Sequence, residues 1–292
     1  MMRKLRLNKV ASRIGDLPAI PRVVAEVMDL TSDPNVSVSE LSKLIERDPV
    51  LTAKLLKISN SAYYGMRQVV GTLKLALVIL GVREVRNIVV GIAVLDTFRD
   101  EETEMLLGQH GLWRHSLLVA GMAKKLGAYL ELSLQGEDFI AGLLHDIGKL
   151  VLWKQLGAEY RELYERAKRE NIPLHQLEED VLGFNHADAA AALAEAWNLP
   201  ETLSFALGAH HRNNDRLQEE GPAPKLAALV RIANVAARDD FENHEAAELS
   251  SCTDERSWKA LAADEQPLDI EARKEVLWGI KEEMSEIPSL SF

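Results

Sequence analysis

The sequence predicts an all-α protein, a two-lobed helical bundle. An N-terminal lobe of short helices (residues 1–99) precedes a C-terminal helical lobe (100–240), and an acidic segment with a last helix (241–292) follows. Three observations carry this. No stretch shows the alternation of apolar and polar residues that marks a half-buried strand, whereas apolar residues recur at helical spacing along the chain. Capping residues, prolines and glycines punctuate those periodic stretches at helix length. Charge also divides unevenly: residues 1–99 balance at +6 and residues 100–292 at −17, which fits two lobes with different surfaces.

In chain order, residues 1–16 read as a short leading helix or arm. Leu17-Pro18-Ala19-Ile20-Pro21 stiffens the backbone, with Pro21 suited to a first helical turn. Val23, Val24, Val27, Met28 and Leu30 follow at helical spacing. Ser37-Val38-Ser39-Glu40 is a capping box ahead of Leu41, Leu44 and Ile45. Asp48-Pro49 caps a helix through Leu51, Leu55, Leu56 and Ile58, which ends at Asn60-Ser61-Ala62-Tyr63-Tyr64-Gly65. Two more patterns, Thr72 to Leu80 and Val82 to Thr97, are separated by Gly81. Asp100-Glu101-Glu102-Thr103-Glu104 is an acidic break, read as the hinge between lobes. Beyond it, helices are expected from Leu112 to Leu126, Phe139 to Leu152, Tyr160 to Glu170 and Leu174 to Leu182. Others open at Phe184-Asn185-His186, span Glu201 to His211 and run from Lys225 to Arg238. Residues 239–267 read as acidic and irregular. A last helix from about Ile270 places Leu277, Ile280, Met284 and Ile287 on one side, and docking on the body is expected.

Composition narrows the function classes. With 292 residues, 47% of them hydrophobic and 27% charged, the chain can bury a sizeable core. No apolar run approaches the roughly 20 residues of a membrane span, and Met1-Met2-Arg3-Lys4-Leu5-Arg6 leads into no apolar signal core. The single cysteine, Cys252, excludes an intrachain disulfide framework and points to the cytoplasm. A net charge of −11 argues against broad, salt-driven binding of duplex DNA. No helix presents several Arg, Lys, Asn or Gln on one exposed face, so a helix-turn-helix reader is not expected.

The stretch Ala141-Gly142-Leu143-Leu144-His145-Asp146-Ile147-Gly148-Lys149-Leu150 sets an adjacent His145 and Asp146 inside an apolar helix. At about 100° per residue Lys149 falls on the same face. An imidazole and a carboxylate are a mixed N/O donor set suited to zinc, iron or manganese; a buried, salt-bridged trio is the plain structural alternative. Four further histidines lie on or at the end of other apolar helices: His115, His186 and the pair His210-His211. Consecutive helices of a bundle pack side by side, so these donors can converge on one pocket. His210 and His211 can both turn inward only at a frayed helix end, since neighbours in mid-helix diverge by about 100°. His110, His175 and His244 sit among polar residues and read as surface side chains.

The order His115, His145-Asp146, His186, His210-His211, Asn234 resembles the HD phosphohydrolase superfamily. His145-Asp146-Ile147-Gly148-Lys149 with His210-His211 is similar to its HD-GYP branch. The N-terminal motifs are more specific. Leu17-Pro18-Ala19-Ile20-Pro21, Asp48-Pro49-Val50-Leu51, Asn60-Ser61-Ala62-Tyr63-Tyr64-Gly65 and Leu80-Gly81-Val82 resemble the HDOD domain, the HD-related output domain of bacterial signalling proteins. The resemblance covers roughly residues 15–240. It implies an all-helical, two-lobed fold and a metal set drawn from His115, His145, Asp146, His186, His210, His211 and Asn234, holding one or two ions of Fe, Mn or Zn. It also implies signalling proteins as partners.

Three departures bear on activity. The last ligand helix carries Asn234 where the superfamily has an aspartate, so that position offers an amide oxygen without charge. The paired histidines lead into Arg212-Asn213-Asn214-Asp215 where HD-GYP enzymes have a Gly-Tyr-Pro loop. Gly111 stands four residues before His115, where that branch has a glutamate ligand. The expectation is therefore a signalling output or scaffold module that keeps a metal pocket. The alternative is a metal-dependent phosphohydrolase or phosphodiesterase acting on a small phosphorylated ligand, with His145 and Asp146 as core ligands and Lys149 balancing charge on the phosphoryl group. Direct nucleic-acid binding through residues 1–99 rests only on the +6 balance and the small helices.

Overall fold

The computed structural model describes residues 19–31, 33, 35–60, 68–98, 100–104, 106, 111–134, 136–211, 217, 221–262 and 267–285. The expected leading arm, Leu17-Pro18, Ser61–Gly65, His110, Arg212–Asp215 and Ile287 lie outside these. Among the described residues there are helices and no strands.

The N-terminal helices begin and end where their local chemistry dictates. Helix α1 (Arg22–Leu30) follows Pro21. Helix α2 (Val38–Ile45) opens on the capping box, in which Glu40 N–H donates to Ser37 Oγ and Ser37 N–H to Glu40 Oε2, both at 3.1 Å. Helix α3 (Pro49–Ser59) is capped by Asp48, which accepts from Val50 and Leu51 N–H at 3.0 Å. Each such cap is worth about 1 kcal/mol. The Asn60 side chain then bonds both backbone groups of Val70. Helix α4 (Leu73–Leu80) starts under Thr72 and stops at Gly81, whose φ of 87° suits glycine. Helix α5 (Val82–Thr97) is buried along nearly its whole middle, from Val85 to Leu95. It packs against α1, α3 and α4 on one side and a C-terminal helix on the other, so one apolar core runs from Val24 to Met284.

The acidic break is a single turn, α6 (Glu101–Glu104), with Thr103 N–H donating to Asp100 and Lys154 paired to Asp100 at 3.0 Å. There follow α7 (Leu112–Tyr129), α8 (Glu137–Leu144), α9 (Ile147–Leu156), α10 (Ala158–Glu170), α11 (Leu174–Leu182), α12 (His186–Ala196), α13 (Glu201–Ala209) and α14 (Pro222–Ala236). Two expectations are corrected. The helix expected over Phe139–Leu152 is two helices that break at His145-Asp146. There the His145 ring donates to the Gly142 carbonyl, one of the last-turn acceptors of α8, at 2.7 Å. The stretch 239–267, expected irregular, contains a 3₁₀ turn (Ala246–Glu248), α15 (Ser250–Thr253) and α16 (Glu255–Ala262). These are held by Arg273, which reaches the Cys252 carbonyl at 2.8 Å and lies over Trp258. Helix α17 (Ile270–Ser285) buries Leu277, Ile280 and Met284 and packs against α7. No described helix is long and apolar enough to cross a membrane.

Two glycines flanking the His-Asp pair let neighbouring helices press in. A Cβ on Gly142 would lie 2.6 Å from the Ala120 Cα of α7, and one on Gly148 would lie 1.8 Å from the His186 carbonyl oxygen of α12. Both obstacles are backbone, so a methyl group there forces whole helices apart. Gly148→Ala is expected to cost at least the roughly 1–3 kcal/mol typical of overpacking, measured by denaturant melts. Gly279→Ala, on α17 with nothing within 4 Å of its new methyl, is expected to leave stability unchanged or raise it by up to about 1 kcal/mol.

Candidate metal centre

Asp146 is the centre of the pocket. Its side chain is fully buried and collects groups from five helical segments. Lys149, one turn on, places Nζ 2.5 Å from Oδ2. Around the same oxygen stand His145 Nε2 at 3.3 Å and, from α7, His115 Nε2 at 4.0 Å. Around Oδ1 stand His186 Nε2 at 3.1 Å, from the start of α12, and His210 Nε2 at 3.7 Å, from the end of α13. His211 Nε2 lies 2.9 Å from His186 Nε2. The donors thus form two groups that share Asp146: His115, His145 and Asp146, and Asp146, His186, His210 and His211. Asn234, on α14, sets its Oδ1 2.9 Å from His115 Nε2. Every sequence-predicted site residue therefore lies in one pocket.

Local helix geometry explains how the rings are aimed. Helix α13 ends at Ala209, so His210 and His211 follow the last regular turn and both face inward. His210 Nδ1 donates to the Leu207 carbonyl at 2.8 Å, as His145 Nδ1 does to Gly142. A carbonyl only accepts, so both Nδ1 atoms carry the proton. The Nε2 atoms of His145 and His210, and Asp146 Oδ1, are buried without a hydrogen-bond partner. His186 Nδ1 donates to Glu178 Oε2 at 2.6 Å; Glu178 also accepts from His186 N–H at 2.8 Å and from Tyr160 OH at 2.5 Å. A histidine whose far nitrogen is tied to a carbonyl or carboxylate is the arrangement that orients imidazoles toward a metal. Two nitrogens on one ion at right angles stand about 3 Å apart, given metal–nitrogen distances near 2.1 Å; the His186–His211 spacing matches. One carboxylate with several imidazoles suits Zn, Fe or Mn, so these residues fit a divalent transition-metal ion.

Burial and neighbouring charge set the protonation. Burial pushes His115 and His210 down to about 3. Burial, with the crowding of His210, His186 and His175, holds His211 well below the imidazole range. Burial alone would raise the Asp146 carboxyl, but His145, Lys149 and His186 together hold it well below the usual carboxylate range. For His186 burial favours the neutral ring, and Glu178 and Asp146 outweigh it, so its pKa is raised.

Four residues escaped the sequence reading. Glu178 and Tyr160 form the outer support of His186. Glu178 sits four residues from Leu174 and four from Leu182, on the apolar stripe of α11, and an acid on such a stripe is the signal that marks it. Arg238, one turn beyond Asn234, reaches His115 Nε2 with Nη2 at 3.2 Å. His175, expected on the surface, lies in the first turn of α11 and stacks on His211 with ring centroids 4.2 Å apart. His244 is exposed beside Glu248, as expected.

The comparisons with known proteins agree with the fold. The HDOD domain model matches residues 17–213, and the chain belongs to the HDOD domain family. It is 31% identical over 231 residues to an uncharacterized protein of Treponema pallidum (strain Nichols), covering 78% of this chain and 44% of that protein; the chain thus spans less than half of that relative's length. Among solved structures it is similar to an HDOD domain protein of unknown function from Geobacter sulfurreducens, with a TM-score of 0.74, 24% identity and coverage of 98% and 99% of the two chains. It is also similar to a candidate phosphohydrolase from Shewanella amazonensis SB2B, with a TM-score of 0.71, 24% identity and coverage of 95% and 97%.

Two measurements check the site. In metal-free protein, His115, His210 and His211 are neutral when folded and protonate near 6.5 when unfolded, so the unfolded chain binds more protons and stability falls with acidification. His186, with its raised pKa, is protonated in the folded state first, so it offsets part of this slope just below 6.5 and none once the unfolded ring is protonated as well. Chemical denaturation between pH 6.5 and 4 should show stability declining by at least about 1.4 kcal/mol per pH unit. Glu178→Gln keeps the volume but weakens the hold on His186, and should lower affinity for Zn(II) or Mn(II) by about 10–100-fold, read by calorimetric titration.

Proposed function

We propose that this chain is a signalling output or scaffold module of bacterial type, working in the cytoplasm, whose C-terminal lobe holds a divalent transition-metal ion in the Asp146 pocket. The division into lobes at 1–99 and 100–240, followed by the segment 241–292, belongs to the same reading. The observation that carries it is the set of inward Nε2 atoms on His145 and His210, each with its Nδ1 proton fixed on a backbone carbonyl and no hydrogen-bond partner of its own. Such atoms are costly to bury unless something accepts their lone pairs. Membership of the HDOD family supports a role in signalling, with signalling proteins as partners. Asn234 supports a module rather than an efficient hydrolase, because an amide can coordinate but cannot serve as a base.

A metal-dependent phosphohydrolase is the second reading, favoured by the two donor groups that share Asp146. An ion bound there would act as a Lewis acid toward a phosphoryl oxygen. The chain's own part would be Lys149, buried beside Asp146 and placed to balance charge on a small phosphorylated ligand.

Elemental analysis of the full chain purified from metal-replete cells decides the metal. Zn, Fe or Mn near stoichiometry, lost in His210→Ala, is expected; sub-stoichiometric metal of every kind overturns the claim. Asp146→Ala should also lose metal, but it leaves Lys149 buried and unpaired, at a cost of roughly 3–5 kcal/mol, so His210→Ala is the cleaner variant. A panel of nucleotide, cyclic-nucleotide and generic phosphoester substrates, tested with metal present, separates the two functional readings. No turnover is expected, and turnover abolished by Asp146→Ala would establish the hydrolase.

A further inference from the structure

The two halves of the pocket differ in what already fills them, although each keeps a buried nitrogen without a hydrogen-bond partner, His145 Nε2 on the Oδ2 side and His210 Nε2 on the Oδ1 side. On the Oδ2 side of Asp146, Lys149 Nζ lies 2.5 Å from the oxygen. His115 Nε2, the outer donor of that side, has Asn234 Oδ1 at 2.9 Å and Arg238 Nη2 at 3.2 Å. On the Oδ1 side, Asp146 Oδ1 and His210 Nε2 are both buried without a hydrogen-bond partner, and His186 and His211 face each other through their Nε2 atoms at 2.9 Å.

We infer that the chain holds a single divalent ion, at Asp146 Oδ1 with His186, His210 and His211, and that its own cations Lys149 and Arg238 fill the place beside Asp146 Oδ2, His115 and His145. The inference rests on the proposed metal reading and makes it specific. Its physical basis is charge. Two carboxylates belong to the pocket: Asp146, and Glu178, which accepts three hydrogen bonds as an ionised group does. With Lys149, Arg238 and one dication they leave two net positive charges, whereas a second dication would leave four. Asn234 adds no negative charge to offset it. The second ion would also have to displace a buried ammonium (Lys149 is 9% exposed) from Asp146, or sit against it.

The test uses full-length, metal-stripped protein titrated with Mn(II), read by equilibrium dialysis with elemental analysis and by electron paramagnetic resonance. Wild type should saturate at one ion per chain and show no exchange-coupled manganese pair. His211→Ala should lose more affinity than the roughly 10–100-fold that loss of an outer-shell partner costs, while His115→Ala keeps the wild-type affinity. The Lys149→Met/Asn234→Asp double variant, with wild-type circular dichroism, should take a second ion and show the coupled pair. Two ions in wild type, equal losses in His115→Ala and His211→Ala, or a folded double variant that still takes one ion would each overturn the inference. If the double variant fails to fold, the two histidine variants decide. No ion in wild type would instead sink the metal reading on which the inference stands.

Discussion

A carboxylate with no access to water sits at the centre of this molecule, and the surrounding structure follows from keeping it there. An isolated charge in such a place would neutralise itself or unfold its surroundings. Asp146 instead stays well below the usual carboxylate range because an ammonium and several imidazoles are brought against it. They come from separate stretches of chain, on α7, the α8–α9 junction, α12 and the end of α13. The helices must therefore pack closely enough for short side chains to reach, and glycine provides this. Gly142 lets α8 lie on α7, and Gly148 lets α9 lie on α12, so the histidine-bearing helices on either side are drawn toward the same carboxylate.

Helix ends do the aiming. A histidine within a regular helix has its backbone carbonyls occupied, and its ring is free to choose either tautomer. At the ends of α8 and α13 carbonyls are left over, and the rings of His145 and His210 take them. One interaction therefore terminates each helix, fixes which nitrogen carries the proton, and turns the other nitrogen toward Asp146. His186 reaches the same state from a helix start, where Asn185 caps the backbone and the Glu178 carboxylate receives its Nδ1 proton.

Much of this was legible in the sequence, and the reasons differ by element. The capping box at Ser37-Glu40, the Asp48-Pro49 cap and the break at Gly81 are local signals, and the helices start and stop where those residues require. The all-helical class follows from periodicity over the whole chain. The break at His145-Asp146 was not legible, because apolar periodicity runs straight through it and the interruption comes from one ring competing for one carbonyl. The helices between 239 and 262 were hidden for another reason. Their sequence is polar, and they are held by distant residues such as Arg273, whose partners lie about twenty positions back. The histidine positions could be read one by one, but their supports could not. Glu178, Tyr160 and Arg238 are ordinary charged or aromatic residues of amphipathic helices until the fold places them beside a ring.

An amide rather than a carboxylate at position 234 bears on how the pocket is charged. Asn234 keeps the shape and the hydrogen bond to His115, so the fold has no reason to reject it. What it removes is one negative charge on the side of the pocket where Lys149 and Arg238 already contribute positive ones. On the opposite side, Glu178 supplies a carboxylate that is not itself aimed at the centre but holds His186 from behind, so negative charge is kept near one group of donors and withdrawn from the other. The pocket is polarised, with Lys149 of α9 and Arg238 beyond α14 on the Asp146 Oδ2 side and the donors of α12 and α13 on the Oδ1 side. Under the proposed metal reading, such an arrangement favours holding one ion over holding two.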